Sequence, residues 1–150
     1  MIINKIDNSY IIKLLNIKIN IYDPNELEDI TKQIVAKLSK KYKLNNCIHL
    51  EFYLNNKYGT IIKLNDYKSP FVISNDKTVK ITIHTESPFL YQIDYFDIDK
   101  LPKQNIYYYK NKFYIEINDN INTKDYYQLL ELSEVIYEDT FDIIDKAIKI

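Results

Sequence analysis

The sequence predicts an α+β fold, in which two helices pack as a two-layer sandwich on a mostly antiparallel sheet built from hairpins. Short runs that alternate apolar and polar residues and meet at turn residues predict the strands. One long and one short amphipathic segment predict the helices. No internal repeat or low-complexity linker interrupts the 150 residues, so we expect one globular domain over residues 1–150.

The composition excludes several classes of function. Apolar residues make up 46% of the chain and charged residues 27%, as in ordinary globular domains. The chain has one glycine, which excludes the Gly-rich phosphate loops and the Gly-flanked nucleophile elbow. A single cysteine excludes an intramolecular disulfide and a cysteine-based zinc site. Abundant Ile, Lys, Asn and Tyr indicate an AT-rich genome, which weakens a functional reading of these residue types.

Charge and hydropathy indicate where the protein works. The net charge is −1 and arginine is absent, so we do not expect a nucleic-acid partner, although tyrosine stacking beside a lysine-rich helix end stays an alternative. Charged residues break every apolar run of the first twenty positions, so we expect no signal peptide and no membrane partner. We therefore predict a soluble, cytoplasmic protein without a cofactor.

The first helix has the strongest local signals. Asp23 is a good N-cap and Pro24 suits the first helical position, while Glu26 completes a capping-box spacing. Apolar residues then recur at helical spacing from Leu27 to Tyr42. Lysines gather near the end of this segment, where the helix dipole favours cations, and Asn45-Asn46 is expected to end the helix.

Three hairpins are predicted from turn residues. The first, around Asp7-Asn8, is predicted as a hairpin or a bent strand pair, and the last turns at Lys110-Asn111, where Tyr108 should pair with Phe113. Between them, a three-residue loop over residues 55–57 places apolar residues on one face and pairs Phe52 with Thr60. The same register sets Gly59 across from Tyr53 and Lys63 across from His49.

The remaining segments are assigned more coarsely. Residues 66–77 are predicted to form a loop, and residues 79–83 and 89–95 to form strands. Thr123 is expected to cap a short helix that holds Tyr126, Leu129, Leu130 and Ser133. Residues 135–150 fit either a helix or a strand.

Two clusters of polar residues are candidate chemical sites. Cys47, His49, Glu51 and His84 lie on polar strand faces and could converge on a metal ion if their strands are neighbours. Lys63 opposite His49 argues against this, because it would repel a cation. Asp94, Asp97 and Asp99 could hold Mg²⁺, but Asp residues at this spacing are more typical of a turn.

Aromatic residues cluster in the C-terminal part of the chain. Thirteen of the 21 Tyr and Phe residues lie between Phe89 and Phe141. Tyr107, Tyr109 and Tyr114 share the hairpin face opposite the predicted core, and exposed aromatic residues are enriched in protein interfaces. Two alternatives stay open: the C-terminal segment covers this face, or the face binds a partner.

A partial resemblance concerns the same region. Residues 89–91, the hairpin over 106–115 and residues 129–131 resemble the C-terminal domain of MecA-type protease adaptors, over about a third of the chain. The helix expected between the first strand and the hairpin is missing or very short here. We therefore do not assign the chain to that family.

The leading hypothesis is a non-enzymatic module that binds another protein, or a second copy of itself, through the face of Tyr107, Tyr109 and Tyr114. It rests on the aromatic clustering and on the absence of a recognisable catalytic constellation. The alternative is a small metal-dependent enzyme or sensor that uses Cys47, His49, Glu51, His84 and nearby carboxylates. The acidic C-terminal region and the lysine-rich helix end could either pair with each other or steer a protein partner.

Overall fold

The computed structural model describes residues 1–68, 78–85, 88–101, 103–117 and 120–150. It divides into two compact units, residues 1–86 and residues 87–150. Each unit has a five-stranded sheet with at least one helix, and nearly all strand pairs are antiparallel, so the predicted α+β class is confirmed. Most of the predicted loop, residues 69–77, lies outside the described residues.

The N-terminal unit begins with a hairpin. Strands β1 (Ile2–Ile6) and β2 (Ser9–Leu15) pair so that Ile6 faces Ser9 across a two-residue turn at Asp7-Asn8. Asp7 has a φ of 53°, a left-handed conformation that Asp tolerates better than most side chains. The predicted position of this hairpin is confirmed.

Helix α1 (Pro24–Lys41) follows and is capped as predicted. The carboxylate of Asp23 accepts a hydrogen bond from the backbone N–H of Asn25 at 3.0 Å. The side chains of Ile34 and Leu38 are fully buried against the sheet. The helix ends before the predicted Asn45-Asn46, because Tyr42 is already extended and forms its C-cap.

The second hairpin joins β3 (Cys47–Asn55) to β4 (Gly59–Tyr67) and corrects the predicted register. Its loop has three residues, as expected, but covers positions 56–58, and Phe52 pairs with Ile62 instead of Thr60. The Asn55 side chain closes the turn by accepting hydrogen bonds from the backbone N–H groups of Lys57 and Tyr58, the last two loop residues. A shift of two residues keeps every side chain on its face, so the apolar pattern alone does not distinguish the two registers.

Strand β5 (Thr78–His84) completes the first sheet, whose order is β1-β2-β4-β3-β5. β5 runs parallel to β3, so the polar faces of these two strands are neighbours. The core of this unit lies between α1 and the other face of the sheet, away from these polar faces. Its fully buried members include Ile12, Ile34, Ile48, Leu50, Phe52, Ile62 and Leu64.

The C-terminal unit contains a second sheet, with the order β10-β7-β8-β6-β9. Its strands are β6 (Leu90–Ile93), β7 (Asn105–Tyr109), β8 (Lys112–Glu116), β9 (Ser133–Ile136) and β10 (Ile148–Lys149). β7 and β8 form the predicted hairpin, in which Tyr108 pairs with Phe113. Both turn residues, Lys110 and Asn111, have positive φ angles, as a two-residue hairpin turn requires.

The helices of this unit cover both faces of its sheet. Helix α2 (Thr123–Leu132) packs Tyr126 edge-on against Tyr91, with ring centroids 6.2 Å apart. Its N-cap is Asn122, whose side chain accepts from Asp125 N–H at 2.8 Å, so the predicted Thr123 cap is wrong by one residue. Helix α3 (Thr140–Lys146) packs on the opposite face. The ambiguous segment thus contains strand, helix and strand, and α3 adds a third helix to the predicted two.

Candidate functional site

The three tyrosines predicted to form a partner surface lie under helix α3. Tyr107 and Tyr114 are only 8% and 7% exposed, and Tyr109 is half-buried. Apolar side chains of α3, Ile143 and Ile144, pack against this group. The expectation of an exposed tyrosine face is therefore corrected: of the two alternatives, the C-terminal segment covers the face.

Hydrogen bonding and pKa shifts agree with this burial. The Tyr107 hydroxyl donates a hydrogen bond to Glu116 Oε2 at 2.9 Å. Burial, and then the adjacent Glu116 carboxylate, raises the pKa of the Tyr107 phenol above its ordinary value. Burial also raises the pKa of Tyr114. Both phenols are thus neutral core groups at physiological pH.

The candidate metal ligands lie on adjacent strands, as the hypothesis requires, and the structure brings two of them, Glu51 and His84, into contact. His49 Nε2 lies 2.8 Å from Thr82 Oγ1, and His84 stacks on Tyr53 at 4.4 Å between ring centroids. His84 Nε2 also lies 3.4 Å from Glu51 Oε1.

The corrected register of β3 and β4 also removes the predicted pairing of Lys63 with His49, which was expected to repel a cation. Lys63 pairs with Glu51, and Asn65 is the residue opposite His49. Cys47 at the end of β3 is buried. Within the described residues, no group of three or more His, Cys, Asp or Glu side chains is arranged to hold a metal ion.

Asp97 and Asp99 belong to a 3-10 helix, Tyr95–Lys100, and Asp94 occupies its N-cap position. Asp97 N–H donates to the carbonyl of Asp94 at 3.0 Å, which forms the first turn. The Asp97 carboxylate accepts a hydrogen bond from Lys100 Nζ at 2.7 Å. A local turn is thus what the structure shows here, and it places two aromatic residues, Tyr95 and Phe96, at the surface.

An exposed aromatic surface begins at this 3-10 helix. Phe96 is 86% exposed and Tyr95 is 66% exposed, although both side chains are large and apolar. The Tyr95 ring lies 5.8 Å from Phe96 and 5.7 Å from Phe113, between centroids, and Phe113 lies 5.0 Å from Tyr108. The two exposed rings, Tyr95 and Phe96, are thus joined through successive ring contacts to the half-buried rings of Phe113 and Tyr108. We call Tyr95, Phe96, Tyr108 and Phe113 the aromatic patch.

The edge strand β10 extends this surface. Ile148 pairs directly with Tyr108, so both side chains point to the same sheet face, and Ile148 is 67% exposed. Large apolar side chains exposed next to one another are unusual on a monomeric protein and mark interaction surfaces. The aromatic patch with Ile148 is therefore the candidate functional site.

Sequence reasoning missed this patch for a physical reason. Tyr108 and Phe113 lie on the hairpin face that the apolar pattern assigned to the core, and this face is only partly covered: Ile115 is buried, whereas Tyr108 and Phe113 are half-buried. Tyr95 and Phe96 were considered only as part of a turn rich in Asp. Two adjacent aromatic residues within such a turn are the signal that could have indicated an exposed site.

The two units of the chain carry formal charges of opposite sign. Residues 1–86 carry thirteen Lys and nine Asp or Glu, a formal charge of +4, whereas residues 87–150 carry seven Lys and twelve Asp or Glu, a formal charge of −5. Asp94 and Asp99 are exposed on the same short segment as Tyr95 and Phe96. The aromatic patch therefore belongs to an acidic unit.

Comparison with known proteins gives no relative. No protein-family model, no curated protein and no solved structure matches this chain. Among the helices of the described residues, none has both the length and the apolar character needed to cross a membrane.

Proposed function

We propose that this protein is a non-enzymatic binding module whose aromatic patch binds a basic, apolar segment of another protein. The observation that carries the proposal is the pair of exposed rings, Tyr95 and Phe96, in ring contact with the sheet through Phe113. Aromatic side chains held rigidly at a surface are typical binding hot spots, because they lose little conformational entropy and bury a large area.

Charge complementarity supports the choice of a basic partner segment. The unit has a formal charge of −5, and Asp94 and Asp99 flank the exposed rings. Such carboxylates attract a positively charged segment and reject an acidic one, so they contribute to specificity and association rate. A partner that carries Lys or Arg beside Leu or Phe satisfies both features of the surface.

Nuclear magnetic resonance of the labelled full-length protein tests this proposal. Two synthetic peptides share the same Leu and Phe positions, and one carries lysines where the other carries glutamates. We expect the lysine peptide to shift the amide signals of residues 95–100 and 108–113. The glutamate peptide should not. Equal binding of the two peptides, or binding of neither, would contradict the proposed partner chemistry.

Matched variants show whether the patch itself carries the binding. Phe96→Ser should lower the affinity for the lysine peptide by about tenfold or more, since truncation of a hot-spot residue costs at least this much binding affinity. Tyr22→Ser is the control, because Tyr22 is an aromatic residue of the other unit with a similar exposed fraction, 89%. An equal loss in both variants indicates nonspecific binding to aromatic side chains. Light scattering that shows a dimer, abolished by Phe96→Ser, would instead identify a second copy as the occupant.

A further inference from the structure

A groove in the N-terminal unit concentrates positive charge. It has a volume of about 460 Å³, within the range of small-molecule sites. Three lysines line it from separate segments of the chain: Lys5 on β1, Lys43 after α1, and Lys68 after β4. Lysines that are distant in sequence converge here because β1, β4 and the end of α1 meet at the same end of the sheet.

The three lysines are not neutralised by carboxylates of the described residues. In the part of the chain that the structure describes, none of them forms an ion pair with a carboxylate. Lys5 Nζ lies over two aromatic rings, 5.7 Å from the centroid of Tyr10 and 5.2 Å from that of Tyr42. This cation–π contact holds the ammonium group in place without neutralising its charge.

One carboxylate, Asp66, also lines the groove, and part of its hydrogen-bonding capacity is already used. Its Oδ1 accepts a hydrogen bond from the backbone N–H of Asn45 at 2.7 Å. Among the described residues, the lining side chains thus carry three positive charges and one negative charge. Burial, then the Asp66 carboxylate and the Tyr42 phenol, raises the pKa of Tyr10, so the Tyr10 hydroxyl stays neutral and able to donate a hydrogen bond.

We propose that this groove binds a small molecule that carries a phosphate group and an aromatic ring, the chemistry of a nucleoside monophosphate. Lys5, Lys43 and Lys68 supply the charge that holds a phosphate dianion. Tyr67, which is 49% exposed and lines the same groove, supplies a ring on which a base stacks. The remaining acceptor capacity of Asp66 suits an amino group of the base. This site does not depend on the aromatic patch, which lies in the other unit.

Titration of the full-length protein with three probes tests the proposed chemistry. The probes are adenosine monophosphate, adenosine and inorganic phosphate, and binding is followed by calorimetry and by amide chemical shifts near Lys5, Lys43 and Tyr67. We expect the monophosphate to bind more tightly than phosphate alone, and adenosine to bind least. Affinity for the monophosphate should fall as salt is added, because the site is open to solvent. Equal binding of adenosine and the monophosphate overturns the proposal, as does no binding of the monophosphate.

Lysine variants connect the binding to this groove. The double change Lys43→Ala and Lys68→Ala should lower the affinity for the monophosphate by about tenfold or more, since two charge-assisted contacts are lost. The control is a double variant of equal net charge, Lys37→Ala with Lys40→Ala, at exposed positions of α1 that do not line the groove. If the control loses as much affinity as the groove variant, binding depends on overall charge and the site is rejected.

Discussion

The single glycine of the chain shows how one residue fixes a turn. Gly59 has a φ of +115°, which L side chains rarely adopt, and it follows directly on the loop between β3 and β4. A Cβ atom placed there would collide with the carbonyl oxygen of Leu14 and lie 2.7 Å from the backbone nitrogen of Asn16. The backbone of the segment after β2 thus approaches this position so closely that no side chain fits.

Substitution of this glycine should therefore destabilise the N-terminal unit. We expect Gly59→Ala to lower the free energy of unfolding by about 3 kcal/mol, from left-handed backbone strain together with overpacking. Urea unfolding followed by circular dichroism measures the change. Asn56→Ala, at an exposed position of the same loop, is the control and should change the stability by no more than about 0.5 kcal/mol. A Gly59→Ala protein as stable as the control would show that the close approach at Leu14 does not exist.

At the scale of elements, the covering of β7 and β8 by α3 decides which aromatic residues are core. Tyr114 is 7% exposed beneath Ile143 and Ile144, so Tyr114→Ala should leave a cavity and lower the free energy of unfolding by about 3 kcal/mol or more. Tyr127→Ala is the control, because Tyr127 is 50% exposed on α2. Thermal and urea unfolding of the two variants give the comparison. If Tyr114→Ala is as stable as the unmodified protein, α3 does not cover the face of Tyr107, Tyr109 and Tyr114, and that face is again a candidate partner surface.

The elements also show what the sequence can predict. Helix α1 is predictable because its signals are local: Asp23 caps it, Pro24 begins it, and the apolar period continues to Leu38. The covering of Tyr107 and Tyr114 is not predictable in this way, since both faces of the β7–β8 hairpin are largely apolar or aromatic. That choice depends on α3, which lies about thirty residues further along the chain in a segment whose pattern fits both helix and strand.

Which aromatic residues form the candidate site also depends on the face of the hairpin that α3 covers. While α3 covers Tyr107 and Tyr114, Tyr108 and Phe113 on the other hairpin face are half-buried and lie in ring contact with each other, and Phe113 also contacts the exposed Tyr95. The sequence therefore indicated the region of the proposed binding surface, but placed it on the hairpin face that α3 covers. The lysine groove was even less accessible to sequence reasoning, because its three lysines are far apart along the chain.

For the whole molecule, the two units differ in the sign of their formal charge, and each proposed site favours a ligand whose charge is opposite to that of its own unit. The unit with a formal charge of +4 holds the lysine groove, and the unit with a formal charge of −5 holds the aromatic patch. Fields of this kind raise the local concentration of oppositely charged ligands and weaken as salt is added. A net charge of −1 conceals this separation, so composition alone did not indicate either site.

Buried phenols in both units predict how the whole molecule responds to alkaline conditions. Burial is the largest cause that raises the pKa of Tyr10 and Tyr58 in the N-terminal unit, and of Tyr107 and Tyr114 in the C-terminal unit. In the unfolded chain these phenols lose their protons near pH 10, whereas the folded chain still holds them. The unfolded state then binds fewer protons than the folded state, so stability falls as the pH rises.

We therefore expect the free energy of unfolding to be insensitive to these groups below about pH 9 and to decrease above about pH 10, until the phenols ionise in the folded state as well. Urea unfolding at a series of pH values measures this decrease. Tyr107→Phe removes one of the four groups and should make the decrease with pH shallower, even though loss of the bond to Glu116 lowers the stability at neutral pH. Tyr22→Phe, which changes an exposed phenol, should leave the pH dependence as it is in the unmodified protein. If Tyr107→Phe and Tyr22→Phe show the same pH dependence, the Tyr107 phenol is not buried and the packing of α3 over β7 is wrong.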